Sequence, residues 1–228
     1  MKRINAADLV SSLLPSAENA NPENDLFLSS FNLKGEDDCI KADIRNIFIR
    51  PDFTLNLTQI TFKQDVEFAN EFPTELVGFT FCLNGKCLFK IPIQNENLSV
   101  EDGISTVYKT VPHIGYFEFK KGMTYFFVAI HLSVKKFLEI TGEKEEVEKS
   151  DFLSAVKQQG AHKLYSFPFK SNVRLLLESI LKDDLKGLSK QFFIESKVLE
   201  IIGCQLEELN LINSKTNLKE NASPLIYQ

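Results

Sequence analysis

The stretch Thr124-Tyr-Phe-Phe-Val-Ala-Ile-His-Leu-Ser-Val-Lys-Lys-Phe-Leu-Glu-Ile-Thr-Gly142 contains the change of period that decides the fold. Its first nine residues, Thr124–Leu132, alternate with a period of two, and both alternating sets are largely apolar. A strand of that kind is buried on both faces. Ser133 is a favoured helix N-cap and Gly142 a favoured helix end, so a helix is predicted over Val134–Thr141.

Upstream of this junction the chain repeats the same strand pattern at short intervals, with turn residues between the runs. Recurring strands of that spacing predict an antiparallel sandwich or barrel. The eight further predicted strands are Leu26–Leu33, Ile44–Ile49, Phe53–Phe62, Val66–Phe72, Leu76–Leu83, Lys86–Ile93, Thr106–Val111 and Gly115–Phe119.

Two local details of these strands make sharper predictions. In Phe53–Phe62 the apolar residues move from odd to even positions, which predicts a β-bulge near Gln59. Asn84-Gly85 stands between two alternating runs and is the residue pair preferred in a type I′ turn. A two-residue hairpin there would place Cys82 opposite Cys87, with Cα atoms about 4.5–5.5 Å apart.

Helical spacing dominates both ends of the chain. A short helix is predicted over 4–14, stopped by Pro15 and followed by a loop over 16–25. Downstream of the 143–149 charge run we predict three helices and a polar tail, with Asn172 and Gly187 as the caps of the second helix. They are Asp151–Gln159, Val173–Lys186, Ser189–Asn213 and the linker 214–228.

Composition narrows the function classes. The chain has 228 residues, 43% hydrophobic and 25% charged, which is typical of a globular domain. Its net charge of −5 argues against nucleic-acid binding by charge alone. No apolar run is long enough to span a membrane, and Asp8 lies where a signal peptide would be apolar. We therefore expect a cytoplasmic protein.

Catalytic and metal motifs are not found in the sequence. His113, His131 and His162 are far apart along the chain, and no His-x-His pair of a metal-dependent barrel enzyme is present. The acidic residues fall in charge clusters typical of exposed surface. We therefore expect no enzyme, no metal site and no cofactor. The four cysteines, which lack zinc-site spacing, are expected to be reduced: Cys39, Cys82, Cys87 and Cys204.

The aromatic strands leave two interpretations open. Their rings either pack a filled core or line an apolar cavity with a few polar anchors. For a cavity, the candidate ligand-binding residues are Phe79, Phe81, Tyr108, Tyr116, Tyr125, Phe127 and His131.

The longest predicted helix is apolar on two sides in its first half. Ile194, Val198 and Ile201 form one stripe, which we expect to pack on the chain itself. The other stripe is a candidate dimer interface, although both stripes packing within one chain is the alternative. This candidate interface comprises Phe192, Leu199, Ile202, Leu206 and Leu209.

Three stretches carry a family resemblance that covers about residues 26–213. FFIESKVLEIIGCQLEEL (192–209) resembles the LESKALELLALQLEAL-type helix that precedes the DNA-binding domain in AraC-family regulators of the pyochelin-regulator type. IHLSVKKFLE (130–139) resembles the strand-to-helix junction of that group, and FCLNGKCLFK (81–90) resembles its glycine hairpin.

The resemblance implies an α+β fold, a cupin-like antiparallel barrel followed by a small helical subdomain. It divides the chain into an N-terminal helix and loop (1–25), the barrel (26–132), a helical dimerisation subdomain (133–213) and a linker (214–228) toward a missing helix-turn-helix domain. It further implies a homodimer that binds a small-molecule effector, siderophore-like in some relatives, and binds DNA only through that missing domain. The alternatives are a stand-alone cupin-like binding protein or enzyme, or an interaction module with a filled barrel.

Overall fold

The computed structural model describes residues 1–13, 24–25, 28–142 and 151–220. Its strands are β1 (Lys2–Asn5), β2 (Asn24–Asp25), β3 (Leu28–Glu36), β4 (Ile40–Arg50), β5 (Phe53–Phe62), β6 (Val66–Phe72), β7 (Leu76–Asn84), β8 (Lys86–Ile91), β9 (Glu96–Glu101), β10 (Ile104–Thr110), β11 (His113–Phe119), β12 (Thr124–Ser133) and β13 (Lys163–Pro168). Its helices are α1 (Ala6–Leu13), α2 (Val134–Thr141), α3 (Asp151–Lys157), α4 (Ser171–Leu181) and α5 (Gly187–Glu220).

Two sheets face each other in a mainly antiparallel, cupin-like α+β arrangement. The large sheet has the order β13-β10-β7-β12-β5-β4-β3-β2, and the small sheet has the order β1-β6-β11-β8-β9. One hydrophobic cluster fills part of the space between the sheets, which we call the lumen. A second cluster lies between the large sheet and helices α2 to α5. The large sheet is therefore buried on both faces, as the sequence predicts for β12.

The predicted junction between β12 and α2 is confirmed. The Ser133 hydroxyl oxygen accepts a hydrogen bond from the Lys136 N–H at 3.1 Å, which caps the helix. Gly142 ends α2 with φ +75°, and its N–H donates to the Leu138 carbonyl at 3.0 Å.

The bulge predicted near Gln59 is wrong. β5 pairs with β12 residue by residue from Phe53 to Thr61 without a shift of register. Leu55 and Leu57 belong to the cluster under the helices, whereas Ile60 and Phe62 belong to the lumen. The apolar residues change parity because the strand is buried on both faces, and each face is apolar along a different part of its length.

The predicted hairpin at Asn84-Gly85 is also wrong, because β7 belongs to the large sheet and β8 to the small sheet. The chain passes from one sheet to the other here, with Gly85 at φ +99° close against the Tyr125 ring. Cys82 pairs with Phe127 and Cys87 with Val100, so the two cysteines do not oppose each other across a hairpin. Both are buried free thiols, and burial raises the pKa of each to about 12.

Several element boundaries differ from prediction. The 4–14 helix begins later, at Ala6, because Lys2–Asn5 pairs with β6 as a strand. Gly187 starts α5 rather than ending the preceding helix, and α5 continues to Glu220 through part of the predicted linker. β9 was not predicted, and β13 adds a strand to the large sheet from within the predicted helical subdomain.

Some predicted segments cannot be compared with the structure. The start of the Leu26–Leu33 strand, most of the 16–25 loop, the 143–149 charge run and residues 221–228 lie outside the described residues. Within the described ranges, no helix is long and apolar enough to cross a membrane.

Candidate functional site: the lumen between the sheets

Polar side chains of the large sheet form a band on its lumen face. The alternation along β5 turns Thr54, Asn56 and Thr58 toward the lumen, opposite to Leu55 and Leu57. Residues paired across neighbouring strands share a face, so the band continues across β4, β12, β7 and β10. This polar band comprises Asn46, Thr54, Asn56, Thr58, Thr80, Thr106, Tyr108 and His131.

A hydrogen-bond chain runs through the middle of the polar band. Asn56 donates its Nδ2–H to His131 Nδ1 at 3.1 Å. With that nitrogen accepting, the ring carries its proton on Nε2 and donates it to the Tyr108 hydroxyl oxygen at 2.8 Å. The Tyr108 proton is then free to donate to another group, and Thr80 Oγ1 at 3.5 Å is a distant acceptor for it.

The central groups of this chain are uncharged near neutral pH. Burial lowers the pKa of His131 to about 4, because the imidazolium would lose its hydration. Burial raises the pKa of Tyr108 to about 12, while its hydrogen bond to Thr80 acts in the opposite direction. The pair therefore presents neutral hydrogen-bonding groups over a wide pH range.

A glycine allows Tyr108 to reach His131. Gly78 pairs with both residues across its two neighbouring strands. A Cβ atom at position 78 would overlap the Tyr108 ring. The absence of a side chain thus lets the ring lie flat over β7, with its hydroxyl directed at the imidazole.

Aromatic rings of the small sheet oppose the large sheet. Phe117 stacks on Phe89 with ring centroids 4.2 Å apart, and it lies 6.5 Å from Phe127 of β12. Phe68 pairs with Phe117 across the small sheet and belongs to the same cluster. Phe68, Phe117 and Phe127 all remain partly accessible, unlike Phe53, Phe79 and Phe81 on the helix face of the sheet.

The lumen is not completely filled beside the polar band. Ala129 lies between Asn56 and Thr80 on the lumen face, and all three side chains keep some accessible surface. Their sequence neighbours on the opposite face, Val128 and Ile130, are buried. A small residue flanked by hydrogen-bonding groups leaves room above it for part of a ligand.

The seven predicted ligand-binding residues divide between three places. Tyr108, Tyr125, Phe127 and His131 face the lumen. Phe79 and Phe81 have the opposite parity on β7 and lie fully buried under the helices. Tyr116 lies on the outer face of the small sheet, with the Arg3 guanidinium 5.1 Å from its ring centroid. We therefore remove Phe79, Phe81 and Tyr116 from the candidate set.

Sequence reasoning missed the amides and hydroxyls of the polar band. Thr54 and Asn56 were visible in the clean alternation of Phe53-Thr-Leu-Asn-Leu57. That pattern shows that the two residues share one face, but it does not distinguish an inner polar face from a solvent-exposed one. The signal that could have found them is the pairing of this strand with β12, which is apolar on both faces.

The other two histidines form a separate polar cluster at the end of β10. His113 Nδ1 and His162 Nδ1 lie 3.1 and 3.2 Å from Thr110 Oγ1. Burial lowers the pKa of His162 to about 4, with smaller contributions from His113 and Lys109. Among the described residues, no group of three or more His, Cys, Asp or Glu side chains is arranged to hold a metal ion.

Lys109 ties the large sheet to the segment after α3. Its side chain is 0% exposed, and its ammonium donates to Glu75 Oε2 at 3.0 Å and to the Ala161 carbonyl at 2.7 Å. Glu75 Oε1 accepts the Gly160 N–H at 2.8 Å. The hydrogen bonds from Lys109 and Gly160 hold the pKa of Glu75 below its usual value. Lys109 directly follows Tyr108, so this link lies next to the lumen.

The predicted dimer interface is partly buried within the chain. Ile202 and Leu209 are only 4% and 1% exposed and belong to the cluster under α5, together with the predicted core stripe. Phe192 is 59% exposed, whereas Leu199 and Leu206 are half-buried. The first turns of α5 also expose Leu188 at 47%. An apolar stripe therefore remains on α5, which keeps Phe192, Leu199 and Leu206 of the predicted set but not the buried Ile202 and Leu209.

Comparison with models of protein families shows which family the chain belongs to. The family model of the regulatory protein PchR N-terminal domain matches residues 41–220, which covers most of β4, the strands β5 to β13, the polar band and α5. The chain belongs to this family. The predicted resemblance to pyochelin-regulator-type AraC proteins is thereby confirmed, and the family is a regulatory one. Comparison with curated protein sequences finds no match.

Solved structures similar to the chain include AraC-type regulators. Apo ToxT K231A from Vibrio cholerae strain SCE256 matches with a TM-score of 0.51 and 10% identity, over 70% of this chain and 57% of that one. The AraC-like transcriptional activator CuxR matches with a TM-score of 0.45 and 8% identity, over 86% of this chain and 64% of that one. Unsaturated fatty acid-bound wild-type ToxT matches with a TM-score of 0.43 and 11% identity, over 67% and 53%. At these identities the ToxT K231A match supports the fold alone, and the chain spans less than two thirds of each of these proteins.

Proposed function

We propose that this chain is the effector-binding and dimerisation part of an AraC-type transcriptional regulator, without enzymatic activity. A small molecule binds in the lumen, beside the polar band. Two copies associate through α5. DNA is bound by a helix-turn-helix domain and not by the acidic surface of this chain, whose net charge is −5. A regulator of this type works where the DNA is, in the cytoplasm.

The observation that carries the proposal is the hydrogen-bonded chain Asn56–His131–Tyr108 within a partly open lumen. Folding removes these polar groups from bulk water, which costs free energy unless each has a partner. A filled core of aliphatic residues would be more stable at the same positions. A polar band beside open space is therefore better explained by ligand binding than by packing. ToxT, a protein of similar fold, has been solved with an unsaturated fatty acid bound, which supports a small-molecule ligand for a protein of this fold.

Ligand-induced regulation follows from the position of the large sheet. One face of this sheet carries the polar band, and the other packs against α2 to α5. A ligand that prefers one packing of sheet and helices shifts the population toward that packing. Lys109 is a specific link for such coupling, since it connects a strand of the lumen to the segment after α3.

The lumen site is tested with a panel of aromatic fragments that includes neutral, anionic and cationic members. Binding is followed by the methyl NMR signals of Ala129 and Thr80. We expect at least one fragment to shift both signals in the native chain. Ala129→Phe should abolish the shift of the remaining Thr80 signal because the new ring fills the space above position 129. Ala7→Phe, at an exposed position of α1, adds the same bulk outside the lumen and should change nothing. A panel in which no fragment reaches these signals would contradict the proposal.

Dimerisation is assigned to the apolar stripe on α5 that remains accessible. Leu188, Phe192, Leu199 and Leu206 recur at helical spacing along one side of α5. Gly203 lies on the same side, and nothing within 4 Å occupies the space of its missing Cβ. A two-fold arrangement would pair this stripe with its own copy.

Association is tested by sedimentation equilibrium of the native chain and of Phe192→Glu combined with Leu206→Glu. We expect a dimer for the native chain and a folded monomer for the double variant. Leu175→Glu serves as the control, since Leu175 is 67% exposed on α4 and lies outside the stripe. A native chain that stays monomeric at high concentration, or a monomer produced equally by the control, contradicts the assignment. Ile202 is left unchanged because its burial would confound the result with unfolding.

A further inference from the structure

We propose that the ligand of this lumen is an uncharged aromatic compound that carries a hydrogen-bond acceptor. This inference rests on the proposed lumen site and specifies its ligand class. Carboxylates, sulfonates and charged iron complexes are excluded by it.

The first argument is the kind of polar group that faces the lumen. The polar band consists of hydroxyls, amides and one imidazole, and burial keeps that imidazole neutral. The nearest buried cation, Lys109, has the opposite parity on β10 and is engaged by Glu75 and two carbonyl oxygens on the helix side. The polar band is therefore suited to dipoles rather than to a full charge.

An anion beside the polar band would lose its hydration, and the polar band itself contains no Lys or Arg that could compensate the charge. Neutral hydroxyls and amides recover only part of the hydration energy of a carboxylate. The chain between residues 14 and 31 contains no Lys, Arg or His, so wherever that segment lies it supplies no cation. An uncharged ligand avoids this cost because its polar atoms require hydrogen bonds only.

The second argument is that the polar band has a hydrogen-bond donor available to a ligand. The Tyr108 hydroxyl accepts from His131 at 2.8 Å, so its own proton points elsewhere, and the Thr80 oxygen is 3.5 Å away. A hydroxyl that already accepts a hydrogen bond is a stronger donor. The ligand therefore supplies a hydrogen-bond acceptor to the Tyr108 hydroxyl.

The third argument concerns the apolar part of the ligand. Three rings that face the lumen are partly accessible. Phe68 and Phe117 belong to the small sheet, opposite the polar band, and Phe127 belongs to β12 of the large sheet. Phe117 already stacks on Phe89 at 4.2 Å, so its ring orientation is fixed on that side. Flat rings of fixed orientation favour a planar aromatic ligand, which can stack on them or meet their edges.

The inference is tested with two pairs of isosteric probes that differ in charge: benzamide against benzoate, and naphthalene-2-carboxamide against naphthalene-2-carboxylate. In each pair the NH₂ of the carboxamide takes the place of one carboxylate oxygen, and the aromatic ring is the same. Titrations at pH 7.5 follow the Ala129 and Thr80 methyl signals of the native chain. We expect at least one carboxamide to bind, with its carboxylate at least about 10-fold weaker. Ala129→Phe should abolish binding of that carboxamide, and Ala7→Phe should leave it unchanged.

Tyr108→Phe tests the proposed donor. It should weaken the carboxamide about 5-fold or more and leave binding of naphthalene, which has no polar atom, unchanged. An equal loss for both ligands would mean that Tyr108 acts only through shape, which would contradict its role as donor.

Two outcomes separate this inference from the proposed function. If a carboxylate binds more tightly than its carboxamide and Ala129→Phe abolishes that binding, the lumen site stands and the uncharged class is wrong. The lumen site and the ligand class are both wrong if neither the fragment panel nor either probe pair shifts the lumen signals. They are also both wrong if the compounds bind Ala129→Phe as well as the native chain.

Discussion

The two faces of β12 contain neighbouring residues of one strand, yet they have different roles. On the helix face, Val128 and Ile130 are buried among aliphatic and aromatic side chains of the large sheet, α2 and α5. On the lumen face, Ala129 and His131 lie beside polar groups and remain partly accessible. The helix face is packed for stability, whereas the lumen face gives up some stability to keep hydrogen-bonding groups and space available. Substitutions on the two faces should therefore differ in their effects on stability and on ligand binding.

The largest effect is expected on the helix face. Ile130→Ala removes a fully buried side chain and leaves a cavity, so we expect the free energy of unfolding to fall by about 3–4 kcal/mol. Thr58→Ala, on the lumen face, should cost less than about 1 kcal/mol because that side chain already contacts accessible space. Urea denaturation measures both. Equal losses for the two variants would show that the lumen face is packed as tightly as the helix face.

Lys109 is a charged exception on the helix face. Lys109→Met removes the hydrogen bonds to Glu75, Gln158 and Ala161 and leaves two partly buried carbonyl oxygens without this donor. We expect a loss of about 2–3 kcal/mol in the free energy of unfolding, together with faster amide hydrogen exchange after α3. Lys34→Met, at an exposed ion pair, is the control and should be nearly neutral. A neutral Lys109→Met would show that the link does not hold this segment.

The burial of His131 on the lumen face should make the stability of the protein depend on pH. Burial lowers the His131 pKa from 6.5 to about 4, so the unfolded chain binds more protons between these values. Stability is therefore fully present above about pH 7 and falls as the pH decreases toward 4. The shift corresponds to about 2 kcal/mol between pH 7.5 and 5.

The variant His131→Asn isolates this contribution. Urea denaturation of both proteins from pH 5 to 7.5 should show that the native chain loses about 2 kcal/mol more than the variant. His162 contributes a loss of the same sign, which remains in both proteins. Parallel curves for the two proteins would mean that the His131 ring is hydrated and not part of a buried hydrogen-bond chain.

Apart from the control variants, the smallest effect is expected for Tyr108→Phe. This variant removes the hydrogen bond from His131 Nε2 at 2.8 Å but keeps the ring packed over Gly78. We expect a loss of about 1 kcal/mol in the free energy of unfolding, measured by urea denaturation. Together with the ligand experiment, this separates the role of the hydroxyl in stability from its role in binding. A loss as large as that of Ile130→Ala would place Tyr108 among the core residues.

Local signals in the sequence predicted a large part of the fold. The bounds of β5, β6 and α2 match the predicted runs, because alternation and capping depend only on neighbouring residues. Local signals failed where another element competed for the same backbone. Asn84-Gly85 favours a hairpin, but its flanking strands pair with β12 and β9 instead. Gly187, which can end a helix, starts one here.

The candidate site was only partly predictable for the same reason. Tyr108, Tyr125, Phe127 and His131 were expected near a ligand and do face the lumen, although binding by these residues remains a prediction. Phe79 and Phe81 were grouped with them because aromatic residues occur on both sides of a doubly buried strand. Hydrophobicity shows that such a side chain is buried, but it does not show on which side of the sheet.

The sequence by itself determined the change from strand to helix after β12, the cap at Ser133 and the aromatic character of the residues available for a site. These properties depend on residue type and on contacts between near neighbours along the chain. Only the tertiary structure decided which parity faces the lumen, which strands pair, and which apolar stripe of α5 remains exposed. Those choices depend on contacts between residues far apart in sequence, such as His131 with Asn56 and Lys109 with Ala161, and no local periodicity encodes them.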